Sequence, residues 1–148
     1  MQPRDILLIG APVDTGKARR GCLMGPDAYR TAGILEALGG LGHAVVDRGN
    51  LAPAPAAPAP DMPDHVHAPG ETAGWTAALM EAGARAAADG LPIFLGGDHS
   101  LSLGSIAGVA SHAAAMKRPQ FVLWLDAHAD IHTPQSTDSG NLHGTPIG

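Results

Sequence analysis

Four short apolar runs punctuate the chain: "ILLI" at 6–9, "HAVVDRG" around 43–49, "LPIFL" at 91–95 and "FVLWL" at 121–125. Each gives way at once to glycine or aspartate. Runs this short and this continuous mark strands buried on both faces, the condition of a parallel sheet. Parallel neighbours need crossover connections, and the intervening segments have helical composition. A chain so patterned is confined to layered α/β architectures.

The first run is released into "GAPVDTGKARRGCLMGP", a loop rich in glycine and proline. Pro26 then suits the first turn of a helix expected to run to about Ala37 and to stop at Gly39 and Gly40. After the second run, "LAPAPAAPAPDMPDH" reads as an exposed, stiff Ala/Pro surface loop at 52–64, inside the domain and not between domains. Residues 71–89 form an Ala-rich helix closed by Gly90, and "GGDHSLSLGSIAGVASHAAAM" supplies a turn and another helix. The order βαβαβαβ predicts one α/β domain over 1–148 with a mainly parallel sheet.

At 148 residues, 45% hydrophobic and 16% charged, the chain can bury a real core. A net charge of −5 with scattered Lys and Arg excludes a basic nucleic-acid or anionic-membrane surface. The single cysteine, Cys22, forms neither an internal disulfide nor a thiolate cage, which fits the cytoplasm. The N-terminal apolar run is too short for a signal segment or a span.

Ligands of open α/β sheets bind beyond the carboxyl ends of the strands. There, "GGDHS" follows the third run and "DAHAD" the fourth. If the chain stays extended, Asp126, His128 and Asp130 project to one side about 6.6 Å apart and can converge on metal, with His99 joining from the neighbouring strand end. Carboxylates and imidazoles without thiolate fit Mn(II), with Fe(II), Co(II) and Zn(II) as alternatives. Two ions need more donors than these four residues offer.

Asp98 either orients a ligand or caps the turn before the next helix. "GAPVDTGK" is a near miss to a phosphate-binding loop, with Ala18 where a hydroxyl should stand. His43, His65, His67 and His112 read as surface histidines. "TDSGNLHG" places His143 among small polar residues, where an imidazole suits proton transfer near neutral pH.

Taken together, "GAPVDTGKARRGCLMGPDAYRTAGI", "GGDHSLSLGSIAG", "WLDAHADIHTP" and "SGNLHGTP" resemble the ureohydrolase family, and within it the arginases. The resemblance implies a three-layer α/β/α sandwich, two Mn(2+) ions per complete active site, and hydrolysis of L-arginine to L-ornithine and urea. It implies that His99 and Asp130 bind one metal, His128 the other, and that Asp126 bridges them. His143 matches the proton-shuttling histidine, and Asp130 also orients the nucleophile. Thr137, Ser139 and Asn141 match positions that recognise the amino-acid end of the substrate, as does His132, where the arginase pattern has asparagine.

The family's later Asp-x-Asp pair and its C-terminal half are absent from these residues. The expectation is therefore the N-terminal half of an arginase-like domain, weak in metal binding and turnover by itself, whose family forms homotrimers or hexamers. The alternatives are an agmatinase or guanidinobutyrase-type ureohydrolase, and a non-catalytic metal-binding half-domain.

Overall fold

The run at the N-terminus becomes the centre of the sheet. In the computed structural model, which describes residues 2–59 and 61–148, Asp5–Ala11 (β1) is flanked by Ala44–Asn50 (β2) and Leu91–Gly96 (β3). Met1, and Pro60 of the Ala/Pro tract, lie outside the described residues. Both pairings are parallel, with Ile6 opposite Val45 on one side and Leu91 on the other. Ile6, Leu7, Leu8 and Ile9 are all 4% exposed or less, as a strand covered on both faces requires.

Side chains alternate along β1, so Leu7, Ile9 and Ala11 share a face. Against it packs Pro69–Asp89 (α3), through Trp75, Leu79 and Ala86. Leu101–Ala115 (α4) lies along α3 at very close range. A Cβ at Gly104 would meet Thr76 O at 2.4 Å, and one at Gly108 would meet Met80 O at 2.4 Å. Glycine at these positions lets the two helix backbones approach.

The expected helix from Pro26 is two helices, Gly25–Thr31 (α1) and Ile34–Gly40 (α2). Pro26 does occupy the first turn of α1. The break falls at Gly33, whose φ of 85° leaves the helical region. Gly39 and Gly40 stay helical; the stop comes at Gly42, with φ of 88°. The Ala/Pro tract is mostly exposed but docked: Ala54 N donates to Gly74 O and Ala57 N to Gly70 O along the start of α3.

One expected strand is not formed. Residues 121–125 run beyond α4 without ladder hydrogen bonds, and Phe121, Leu123 and Leu125 are 85%, 82% and 85% exposed. An apolar run becomes a parallel strand only beside a partner with both faces covered. Among the described residues neither the partner nor the cover is present, so the sheet has three strands.

Candidate metal centre and adjoining cleft

The site grows from the carboxyl end of β3. Beyond it, Gly97 N donates to Ala11 O and Asp98 N to Val13 O, so the chain still follows the loop leaving β1. That approach requires glycine, because a Cβ at Gly97 would lie 2.4 Å from both the N and O of Val13. Asp98 is buried and accepts from Ser100 N, Ser100 Oγ and Gly16 N. It therefore caps the turn into α4, as one of its two readings held, and also ties down the N-terminal loop.

Next in line, His99 stacks on Trp124, ring centroids 4.8 Å apart and planes within 10°. Its Nδ1 lies 3.0 Å from Asp126 Oδ2 and 3.2 Å from Asp130 Oδ2. One ligand atom from each of His99, Asp126 and Asp130 falls within 4.8 Å of the others. The extended geometry expected of "DAHAD" is replaced by a bend at 127–128 and by a left-handed Asp130, φ 50°. Aspartate is among the few residues that adopt that conformation readily, and here it turns the second carboxylate back toward His99.

His128 stands apart. Its side chain is 84% exposed, with Nδ1 3.5 Å from Asp126 Oδ1, and it does not enter the three-residue cluster. Its backbone N–H does take part, donating to Asp126 Oδ1 at 2.9 Å. That hydrogen bond is the main reason the Asp126 carboxyl is held below the ordinary range. Desolvation opposes it, while attraction to His99 and His128 adds to it.

The cluster fits a divalent cation. Asp130 Oδ2 is buried without a hydrogen-bond partner, although His99 Nδ1 is close, and buried carboxylate oxygens are normally satisfied. A cation between the carboxylates and the imidazole would supply the missing partner. The donors are two hard oxygens and one borderline nitrogen, a set suited to first-row divalent metals.

Beside the cluster opens a cleft of about 560 Å³. His132, Thr137, Ser139 and Asn141 line it, together with His128, Asp130 and His143. Of the four expected ligands, His128 and Asp130 line the cleft together with the expected rim residues, and His99 and Asp126 do not. Thr137 Oγ1 lies 3.3 Å from Ser139 Oγ, whereas His132 turns its Nδ1 to Ser136 O.

Several contributors were not read from sequence. Asp138 lines the cleft, and His65 Nε2 contacts Thr137 O at 2.9 Å while His67 N donates to Gly140 O. His65, exposed as its reading as a surface histidine has it, supports the rim loop through its ring, and His67 does so through its backbone N–H. No spacing signal ties residues 65 and 67 to 137 and 140.

An α/β protein with a candidate metal centre beyond the carboxyl ends of a parallel sheet is the class that this fold and site define. The arginase family model matches residues 4–148, and the chain belongs to the arginase family. It is 52% identical to an arginase of Brucella melitensis over 141 residues, covering 95% of this chain and 46% of that protein. It is 41% identical to the mitochondrial arginase-2 of Homo sapiens over 144 residues, covering 96% and 39%. Among solved structures, the Bacillus subtilis arginase superposes with a TM-score of 0.80 at 35% identity, covering 97% of this chain and 46% of the other. The chain thus spans about half the length of these relatives. Among the described residues, no helix is long and apolar enough to cross a membrane.

Proposed function

We propose that this chain carries one side of the active site of a manganese-dependent hydrolase of guanidino compounds, with L-arginine as substrate and L-ornithine and urea as products. The observation that supports this most directly is the convergence of His99, Asp126 and Asp130 beside a cleft lined by Asp130 and His143. The identity to proteins named arginase supports the choice of substrate.

His99, Asp126 and Asp130 would hold the cation, with His128 joining from its exposed position. When bound there, a divalent metal supplies Lewis acidity and a means of generating a nucleophile from water near neutral pH. The delocalised guanidinium carbon is a poor electrophile, which is why an activated nucleophile is needed. Asp130 orients the attacking group through a carboxylate oxygen. His143 delivers a proton to the departing amine, a role typically worth about 10²–10⁴-fold in rate.

The rim recognises the substrate. Asp138 gives the cleft a carboxylate outside the three-residue cluster, favouring a cationic guanidinium or ammonium group. Asn141 offers amide hydrogens to a carboxylate. His132, where asparagine is expected for arginine, is the position at which a different guanidino compound would be selected.

A second reading, a metal-binding half-domain without turnover, draws on the exposure of His128 and on the count of three convergent ligands. Manganese bound per chain, measured with urea and ornithine release over a panel of arginine, agmatine and guanidinobutyrate, separates the readings. Urea from arginine supports the arginase reaction. Urea from another panel member alone would shift the substrate. Metal without urea at any chain concentration would favour the non-catalytic reading.

A further inference from the structure

The two oxygens of Asp98 face different parts of the chain. Oδ1 accepts from Ser100 N at 2.9 Å and Ser100 Oγ at 2.6 Å, closing the turn into α4. Oδ2 accepts from Gly16 N at 2.9 Å, across 82 positions of sequence. Gly16 is wedged against this pair, since a Cβ there would lie 2.5 Å from Ser100 Cβ and 2.6 Å from Asp98 Oδ1.

On its other side Gly16 meets the rim of the cleft. Its carbonyl accepts from His143 N at 2.9 Å. Two residues further, Ala18 N donates to Asn141 Oδ1 at 2.9 Å. A backbone N–H can donate only to the oxygen of an amide side chain, so this bond decides which way the Asn141 amide is turned. Its Nδ2 keeps its hydrogens for another acceptor.

We infer that Asp98 is a positioning residue for the rim: its carboxylate anchors the loop at 14–18, and that loop sets the backbone of His143 and the orientation of the Asn141 amide. The inference rests on the reading of 137–144 as the substrate rim. Asp98 is fixed to the end of β3, as is the adjacent His99, so one strand end locates both the candidate metal ligand and the groups facing substrate. Loops by themselves hold such groups loosely, and a buried carboxylate accepting backbone N–H groups is a strong tether.

Amide hydrogen exchange followed by NMR on the whole 148-residue chain, without metal, tests this. Asp98→Ala is expected to lower protection of the Gly16 and His143 amides by about tenfold or more, to shift the Asn141 side-chain amide resonances, and to leave the Leu8 and Ile9 amides unchanged. Ser100→Ala removes the hydroxyl contact while keeping Asp98, and is expected to leave Gly16, His143 and Asn141 as they were. Equal loss at Leu8 would mean general destabilisation and overturn the assignment, as would loss at Gly16 with His143 unaffected.

Should Asp98→Ala not fold, the unaltered chain in graded urea decides. Gly16 and His143 are expected to lose protection together in one opening, below the urea needed for Leu8. Separate openings would overturn the proposal. Manganese takes no part in these measurements, so failure of metal binding and failure of the tether are read independently.

Discussion

His99 lies flat against the indole of Trp124, centroids 4.8 Å apart and planes within 10°. Stacking of this kind contributes about 0.5–1.5 kcal/mol and holds a ring in one plane. Trp124→Ala is therefore expected to weaken manganese binding up to about tenfold, and Trp124→Phe less. The other tryptophan, Trp75, is buried against the sheet, so in a Trp75→Phe background the remaining fluorescence reports the site. Manganese should quench it; an unchanged spectrum at saturating metal would count against the cluster as the binding site.

Asp130 combines a left-handed backbone with a buried, unpartnered oxygen. Asparagine tolerates the backbone and removes the charge. Asp130→Asn is expected to reduce manganese affinity by at least about tenfold while leaving the metal-free melting temperature unchanged or slightly higher. Isothermal titration and thermal unfolding on the same sample check both parts. A large fall in metal-free stability would show that the carboxylate serves the fold.

Arg30 binds Asp47 with two parallel hydrogen bonds, Nε at 2.7 Å and Nη2 at 2.9 Å, tying α1 to β2. The guanidinium holds the Asp47 carboxyl below its ordinary value of 3.8, against some desolvation, with help from the Gly49 amide. A depressed carboxylate contributes stability that is fully present above the ordinary value and is lost as pH falls through the lower folded one. Asp47→Ala is expected to cost about 1 kcal/mol at pH 7. The difference from the unaltered chain should shrink as the pH is taken well below 3.8. Urea unfolding at the two pH values measures it, and a pH-independent difference would remove the ion pair from the account.

The contact of α3 with α4 separates two glycines of equal helix propensity. At Gly104 a Cβ would lie 2.4 Å from Thr76 O and 2.6 Å from Leu79 Cβ; at Gly83 its nearest neighbours are Ser105 O at 3.2 Å and Phe94 Cζ at 3.3 Å. Alanine favours a helix interior by about 1 kcal/mol over glycine. Overpacking typically costs about 1–3 kcal/mol and wins where backbone atoms must move. Gly104→Ala should thus destabilise by about 2 kcal/mol and Gly83→Ala should be close to neutral. Similar denaturation midpoints for the two variants would show that the helices can part at little cost.

Phe121 and Leu123 face water almost completely. Replacing them with Ser and Thr is expected to change stability by no more than about 0.5 kcal/mol. Binding of a hydrophobic dye should fall in the same variants. A clear drop in melting temperature would mean that the segment is packed in solution.

The central strand was legible because Ile6–Ile9 must be buried on both faces whatever surrounds it. The helix at 71–89 was legible because an Ala-rich periodic segment ended by Gly90 has few alternatives. The run at 121–125 misled for the same reason in reverse: its composition states a demand for burial, not whether a partner strand meets it. Gly33 was passed over because one glycine inside a helical pattern is usually tolerated, and only the chain's course between β1 and β2 turns it into a break.

The chemistry of the site was legible as residue types. His99, Asp126, His128 and Asp130 carry donor atoms wherever they sit, and the place of His99 after the third apolar run put it at the carboxyl edge of the sheet. Their arrangement was not. That His99, Asp126 and Asp130 converge while His128 stands in solvent depends on a bend and one left-handed residue.

The parallel sheet and the candidate ligands were thus legible in the amino-acid sequence alone, because hydrophobic pattern and donor chemistry are local properties of residues, while the family was legible only through the resemblance of whole motifs. The tether from Asp98 through Gly16 to His143, and the support of the rim by His65 and His67, were decided only in the tertiary structure. Those contacts join backbone groups distant in sequence, and every residue has such groups, so no pattern of side chains announces which of them will meet.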